Sequence, residues 1–364
     1  MNKNYISKKE FIAMGLIFLN ALAMLFSVAA DGGKDAYICV LIAGVIMIPI
    51  PYIIQYIFIK YPQKNFYEIV EVILGKIIGK IFIIILLGYN IYITATVVLD
   101  ICAFINTVVL DATALIVIVI LFIWRVYILL KGTIKDVANW SQLVLWAIVF
   151  FIIVAVVLMI PSMKFENILP IGKEGIENIS LGVLQTLGYP LSQIFVMVTL
   201  CEYVENRKEI SKIFYWILGI SVVFMCLITI QNIMVLGADN RKYIPYSNYV
   251  AYRHINIKTM FQRIELMLSA FFVLSQILKV YIYILFILKG IQHLLKLNSY
   301  KCILIPVILM IINRYIADDY SDFTRGEESR ILQPIMYMVF NYLSILFMAT
   351  ILFVKSALKN PENK

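Results

Sequence analysis

Residues 181–200 read LGVLQTLGYPLSQIFVMVTL, an uncharged and mostly apolar stretch. Its length suits one crossing of a bilayer core, which takes roughly twenty residues of helix. Gly188, Tyr189 and Pro190 lie near its centre. Glycine removes a side chain, and proline removes a backbone donor and clashes with the preceding turn. The stretch therefore predicts a transmembrane helix that is interrupted near its midpoint.

The rest of the chain has the same apolar character. Hydrophobic residues make up 62% of it and charged residues 15%, against about 45–50% and about 25% in soluble domains. The apolar runs are continuous and lack strand-like alternation, which favours helices over a barrel. Ten spans are predicted, near residues 11–30, 37–59, 81–104, 112–130, 139–160, 180–201, 211–236, 264–288, 302–316 and 333–355. The sequence thus predicts an all-α integral membrane protein.

Lysine and arginine set the predicted orientation. If the N-terminus is inside, most of these residues fall in inner connections, such as residues 60–80 between spans two and three. Cytoplasmic connections carry such an excess in membrane proteins. Both termini are therefore predicted to be cytoplasmic.

Ten spans divide into two halves of five within a single transmembrane permease-like domain, residues 1–364. The first repeat covers about residues 11–160 and the second about residues 180–355. Because each half holds an odd number of spans, the halves must enter the membrane in opposite senses, as in inverted-repeat transporters. The first helix of each repeat is commonly interrupted there. Span one has Asn20 at its centre, and span six has Gly188-Tyr189-Pro190.

An interrupted helix offers free N–H groups to a carboxylate and free carbonyls to an ammonium. An amino acid is therefore a suitable ligand. The alternative is that Gly188 and Pro190 form only a packing kink, which transmembrane helices tolerate.

Two charged residues lie well inside predicted spans. Asp100 shares a helical face with Tyr92 and Thr96, and Lys279 shares one with Ser275, Gln276 and Tyr283. Each charge costs about 2.5–3.5 kcal/mol to insert, so both are functional candidates. Asp100 either binds a proton or a substrate amine, or faces an outer vestibule. Lys279 is either a fixed internal cation or snorkels to the inner interface. A height difference of roughly 13 Å argues against a direct salt bridge between them.

Several classes of function are excluded by what the chain lacks. It has no nucleotide-binding, nucleophile-elbow or zinc-protease motif. Its five cysteines and two histidines are scattered, which gives no metal-ligand spacing. The net charge of +9 is spread between the spans, unlike a nucleic-acid-binding patch. We therefore expect no enzyme activity, no cofactor, no metal and no nucleic acid partner.

Five short segments carry a family resemblance. They are ISKKE at residues 6–10, DGGKDAY at 31–37, YP at 61–62, FYE at 66–68 and LGKIIGK at 74–80. With the chain length and the ten spans, they resemble the spore germination permeases. These are the B subunits of nutrient germinant receptors, within the amino acid–polyamine–organocation superfamily.

The resemblance implies a LeuT-like five-plus-five fold in the inner membrane of a dormant spore, with A and C subunits as partners. It also implies that a small nutrient, commonly an amino acid, is recognised between spans one, three, six and eight. The matching positions here are Asn20, Ala21 and Met24; Thr96 and Asp100; Gly188, Tyr189 and Pro190; and Ser275. The centre of span one lacks the small residues of some relatives, so backbone capture of a carboxylate is less expected there.

Three functions remain open at this point. The first is a nutrient-sensing receptor subunit. The second is a stand-alone proton-coupled amino acid symporter, with Asp100 as proton carrier and Lys279 as an internal cation. The third is an assembly subunit that binds no ligand.

Overall fold

The computed structural model describes residues 5–244, 246–253, 264–305, 307–309, 312 and 327–359. Within these residues the fold is helical and contains no strand beyond one isolated bridge between Ile6 and Val204. The α-helices are α1 (Lys8–Asn20), α2 (Ala36–Ile46), α3 (Pro49–Lys60), α4 (Phe66–Leu74), α5 (Lys76–Phe104), α6 (Leu115–Lys131), α7 (Ile134–Met159), α8 (Gly175–Gly188), α9 (Ile210–Leu236), α10 (Ala238–Tyr243), α11 (Ser247–Arg253), α12 (Ile264–Leu295), α13 (Glu327–Tyr337) and α14 (Ser344–Lys359). The longer 3-10 helices are Ala30–Asp35 and Leu191–Tyr203, and π-helical turns follow α5 (Ile105–Val109) and α13 (Met338–Leu343).

Seven helical segments in the described residues are long and apolar enough to cross a membrane. They are Ala30–Lys60, Lys76–Val109, Ile134–Ser162, Gly175–Tyr203, Arg207–Leu236, Leu266–Leu295 and Ile331–Ser356. The prediction of an all-α integral membrane protein is confirmed. The other three predicted spans differ: α1 has 13 residues and α6 has 17, and much of residues 302–316 lies outside the described residues. The count of ten stays a prediction.

Capping boxes begin three helices at the predicted inner end. Ser7 caps α1 with Glu10, Asn65 caps α4 with Glu68, and Thr133 caps α7 with Asp136. Each box satisfies two backbone donors of the first turn. Polar residues therefore fix where these apolar helices start.

Glu10 also joins two helices. Its carboxylate accepts a hydrogen bond from Lys135 Nζ at 2.7 Å. Burial raises the pKa of Glu10, but the hydrogen bonds from Lys135 and Ser7 outweigh this and lower it below the usual value. The start of α1 is thus tied to the first turn of α7.

The loops that connect the predicted spans fall into two groups according to which of them contact each other. The contacts among predicted inner connections join Ile6 to Tyr203, Glu10 to Lys135, Tyr61 to Arg207, and Lys131 to Lys301. Those among predicted outer segments join Ser27 to Ser247, Lys34 to Glu174, and Lys164 to Met234. These contacts agree with the predicted alternation of the chain between two ends.

Spans one and six are both interrupted, as predicted. Helix α1 ends at Asn20, and the chain continues in turns in which Met24 N donates to Asn20 O at 3.2 Å. Helix α8 ends at Gly188, after which Tyr189 is extended (φ −148°, ψ 113°). After Pro190, the 13 residues Leu191–Tyr203 form a 3-10 helix. Such long 3-10 runs are uncommon and often mark a hinge.

Span two also divides, which the sequence analysis did not predict. Helix α2 ends at Ile46 and α3 begins at Pro49, with Pro51 following in its first turn. Proline is accepted in the first turn of a helix because the N–H there has no partner within the helix.

A polar clamp closes the outer end between the 3-10 helix Ala30–Asp35 and the segment before α8. The buried Asp35 carboxylate accepts from Gly172 N at 2.8 Å and from Glu174 N at 3.3 Å. The Glu174 carboxylate accepts from Lys34 N at 2.9 Å. Gly33 has φ +53°, and a Cβ on it would lie 2.3 Å from Glu174 Cδ. This packing accounts for the DGGKD sequence.

Helix α8 approaches α13 at its last residue. A Cβ on Gly188 would lie 2.3 Å from Pro334 O and 2.5 Å from Pro334 Cα. Because these are backbone and ring atoms, no side-chain rotation can relieve the clash. Glycine at this position is required by helix packing.

We expect Asp35→Ala to lower the melting temperature of the purified protein by several degrees, because two backbone N–H groups lose their acceptor. Leaving a buried polar group unsatisfied costs about 1–3 kcal/mol. Thermal unfolding in detergent measures this. Glu166→Ala, an exposed acid at the same end, is the matched control. Equal melting temperatures for the two variants would refute the role given to Asp35.

We expect Gly188→Ala to destabilise the fold by about 1–3 kcal/mol or more, since α8 and α13 must separate. Gly219→Ala in α9 is the control: no atom lies within 4 Å of the added Cβ, and alanine favours a helix interior by about 0.5–1 kcal/mol. Thermal unfolding should therefore shift in opposite directions. A Gly188→Ala protein as stable as Gly219→Ala would contradict this packing.

Candidate functional site

Lys279 lies on α12 beside both helix interruptions. It is 0% exposed, so it does not snorkel to the inner interface. Its Nζ lies 5.4 Å from the ring centroid of Phe18 and 5.1 Å from that of Tyr189. Nζ makes no hydrogen bond within the described part of the chain. The Lys279 amino group thus lies between aromatic rings at the end of α1 and at the break after α8.

Other unpaired polar side chains lie near Lys279. Gln276 and Tyr283 lie three residues before and four after it, on the same face of α12. Gln193 belongs to the 3-10 helix after the break. All three are almost completely buried, and their side-chain polar atoms make no hydrogen bonds with described residues. Buried polar groups in folded proteins are nearly always paired. Four such groups in one region therefore make it the candidate binding site.

Tyr189 connects these groups. Its hydroxyl lies within electrostatic range of Gln193 and of Tyr283, although Gln193 makes no hydrogen bond of ordinary geometry. The Phe18 and Tyr283 ring centroids are 5.4 Å apart. The residues at the two helix breaks and on α12 thus form one cluster.

Asp100 belongs to the same polar region. Its half-buried side chain interacts electrostatically with Lys279 and with Tyr189. Thr96, one turn earlier on α5, is buried and donates to Tyr92 O at 3.1 Å. The hydroxyl hydrogen of Thr96 is therefore already used within its own helix.

The predicted site residues of span one contact two neighbouring helices. Asn20 Nδ2 donates to Leu16 O and to Ser221 Oγ on α9, both at 2.8 Å, while its buried Oδ1 makes no hydrogen bond with described residues. Met24 Sδ lies 3.7 Å from Ser275 Oγ, whose hydroxyl donates to Phe271 O at 2.8 Å. Ala21 is fully buried between them. Span one is therefore joined to α9 through Asn20 and to α12 through Met24.

Asn20 and Met24 also line a cleft of about 410 Å³. The rest of its lining is apolar and comes from α1, α7 and α9. Trp146 on its rim is 73% exposed, so the cleft opens toward the surrounding lipid. It is separate from the Lys279 cluster.

The break after α8 is partly satisfied. Ser192 Oγ donates to Gly188 O at 2.6 Å, and Tyr189 N donates to Gln185 O at 2.8 Å. Gly188 is needed for packing against Pro334, which agrees with the packing alternative for that residue. Pro190 follows in a buried position. The unpaired groups here are side chains, whereas the sequence analysis expected backbone groups.

Residues of α13 and the turn after it also belong here, and sequence reasoning missed them. The Tyr337 ring centroid lies 4.8 Å from that of Tyr189 and 6.0 Å from that of Tyr89. Asn341 is 1% exposed and its Oδ1 makes no hydrogen bond with described residues. The four-residue spacing of Tyr337 and Asn341 in a predicted span was a signal that could have identified them.

Comparisons with known proteins identify relatives of this chain among the spore germination proteins. The family model described as spore germination protein, the spore permeases, matches residues 5–323. Spore germination protein KB of Bacillus subtilis (strain 168) is 24% identical over 354 residues, which cover 96% of this chain and 94% of that protein. Spore germination protein YndE of the same strain is 25% identical over 206 residues, or 56% and 55% of the two chains. The chain belongs to the spore germination permease family.

Proposed function

We propose that this protein is the transporter-like, nutrient-sensing B subunit of a germinant receptor, and that it binds an amino acid beside Lys279. Family membership supports a role in spore germination. The proposed location is the inner membrane of the spore, where A and C subunits would be its partners. The proposed ligand contacts are those of the sequence analysis together with Phe18, Gln193, Gln276 and Tyr337.

The proposed architecture is the LeuT-like fold of the amino acid–polyamine–organocation superfamily, with ten spans and cytoplasmic termini. Two observations support it. The interruptions after Asn20 and Gly188 fall in the first span of each proposed repeat. The connections also gather at two ends in the alternating order that ten spans require.

The buried amino group of Lys279, which makes no hydrogen bond within the described residues, is the single observation that carries the ligand proposal. A buried cation without a hydrogen-bond acceptor is costly. A carboxylate would supply both the opposite charge and the acceptors, with the Gln193 and Gln276 amides as further donors. Asp100 supplies a negative group for the ammonium of the same ligand. An amino acid matches this pair of charges.

The burial of these groups suggests how sensing would work. Lys279, Gln193 and Gln276 are at most 1% exposed, so a ligand reaches them only after neighbouring helices separate. Phe18 and Met24 contact α12 from either side of the break in span one, which makes this the element to move. A ligand that binds the opened arrangement more tightly shifts the population toward it. The partner subunits would respond to that shift.

We expect Lys279→Met to raise the melting temperature of the ligand-free protein, because it removes an unpaired buried charge. This rise is expected because sites built for binding are commonly destabilising. The variant should also lose any ligand-induced shift in melting temperature, because the proposed ligand contact is gone. Lys289→Met is the matched control on the same helix. Lys289 forms an ion pair with Glu202 at 2.6 Å, so this change should lower the melting temperature.

The measurement is thermal unfolding in detergent, alone and with each of the twenty standard amino acids. A Lys279→Met protein that is less stable than wild type and still responds to an amino acid would refute the site. Lack of a response by the wild type to every amino acid would favour the assembly-subunit alternative.

We expect spores carrying Tyr189→Ala or Asp100→Asn to lose germination with amino acids while protein levels stay normal. Tyr189→Phe should respond nearly normally, because the ring over Lys279 is kept. Trp146→Ala, at an exposed position, controls for loss of an aromatic residue. Optical density during germination and immunoblotting measure these effects, and normal germination of both loss variants would contradict the proposal.

The symporter alternative is tested with the purified chain in vesicles. Proton-driven accumulation of a labelled amino acid by this chain alone, abolished by Asp100→Asn, would favour the symporter. Binding without accumulation supports the sensing subunit.

A further inference from the structure

A second cavity, of about 400 Å³, lies at the predicted inner end, away from Lys279. It is bounded by α4, the start of α5, the end of α12 and the end of the 3-10 helix Leu191–Tyr203. Its basic lining residues converge from two helices. Lys76 and Lys80 come from α5, Lys289 and His293 come from α12, and Lys296 comes from the turn just after α12.

Both carboxylates in the lining contact basic side chains of α12. Lys289 Nζ lies 2.6 Å from Glu202 Oε1, and His293 Nε2 lies 3.1 Å from Glu71 Oε1. Lys289 Nζ also lies 5.2 Å from the Tyr203 ring centroid. These contacts hold α12 to α4 and to the 3-10 helix.

Lys76, Lys80 and Lys296 bring three further positive charges to the same cavity, and the Lys76 and Lys296 side chains are exposed. None of them has a hydrogen bond or ion pair from its side chain to the described part of the chain. Lys76 and Lys80 are four residues apart on one face. Like charges at that spacing repel each other.

The position of Lys76 and Lys80 at the start of α5 adds to this electrostatic repulsion. Helix α5 begins at Lys76, has no acidic residue in its first turn, and receives no side-chain cap from Gly75. The N-terminus of a helix carries partial positive charge and normally attracts acidic residues. An anion bound there would satisfy both the helix end and the lysines.

Lys296 lies just after the end of α12 and has an unusual backbone conformation. Its φ is +52°, a left-handed conformation that usually falls to glycine or asparagine just past a helix. A residue with a Cβ is unfavourable there. This position nevertheless holds a lysine that lines the cavity.

We propose that this cavity binds a small oxyanion with two or more negative charges, of the phosphate or phosphate monoester type. Lysines bind phosphate as point charges, and small-molecule sites commonly measure about 300–1,000 Å³. The anion comes either from the soluble phase or from a phospholipid headgroup of the inner leaflet. In either case it bridges α5 and α12.

The experiment uses the full-length protein in phosphatidylcholine nanodiscs, with inorganic phosphate titrated at constant ionic strength against chloride. A second arm replaces part of the lipid with phosphatidylglycerol and omits phosphate. We expect a rise of a few degrees in melting temperature in at least one arm. Lys76→Gln/Lys80→Gln should weaken that binding about tenfold or more, whereas Lys60→Gln/Lys212→Gln, exposed lysines outside the cavity, should not.

Lys296→Gly separates binding from folding. It should raise the melting temperature without anion, because the strained backbone is relieved, and it should reduce the anion-induced rise. A rise with phosphate identifies a soluble anion, and a rise with phosphatidylglycerol alone identifies a headgroup. The proposal is overturned if neither arm raises the melting temperature, or if the Lys76→Gln/Lys80→Gln and Lys296→Gly proteins respond as fully as wild type.

Discussion

The interior of a bilayer offers no water to unpaired backbone groups, so an interrupted helix is tolerated only where the protein itself satisfies the break. Both breaks in this chain are partly satisfied by the protein. Met24 N donates to Asn20 O, and at the second break Tyr189 N donates to Gln185 O while Ser192 Oγ donates to Gly188 O. The breaks can therefore persist beside α12. Without them no aromatic rings would lie on either side of Lys279, and the cluster of unpaired polar groups would be replaced by ordinary helix packing.

The Lys279 cluster has the features of a functional site that costs stability. A fold selected only for stability would place an apolar residue at a position that is 0% exposed, because a buried ammonium gains little from aromatic rings alone. The chain instead gathers a cation, two amides and a tyrosine hydroxyl without partners. The outer clamp around Asp35 shows the contrast, since there each buried carboxylate oxygen has a backbone donor. The buried Asp35 carboxylate thus has its partners within the protein, whereas the polar groups around Lys279 have none among the described residues.

The sequence supported some of these features because they rest on composition and chain order. The membrane class, the breaks at Asn20 and Gly188 and the sorting of the connections follow from hydropathy, proline, glycine and charge, whereas the sequence left the burial of Lys279 open. The partners across helices could not be predicted, because periodicity shows which residues share a face and not which helix that face meets. The need for Gly188 comes from Pro334, 146 positions later in the sequence. Tyr337 and Asn341 join the site for the same long-range reason.

The two long helices α5 and α12 give the molecule a frame that the broken spans lack. Each is continuous, with 29 and 32 residues, and they contact each other extensively. Helix α5 carries Lys76 and Lys80 at its inner end. Asp100 lies further along the same helix, about 36 Å from Lys76 at 1.5 Å per residue. Helix α12 carries Lys279 and, at its inner end, Lys289 and His293. Coupling between distant sites requires an element whose arrangement both sites bias. A change in how α5 meets α12 would alter the spacing of the inner lysines and of Asp100 and Lys279 together, whereas motion of span one alone would alter only the latter environment. The helix pair therefore joins the inner lysines physically to the region of Asp100 and Lys279.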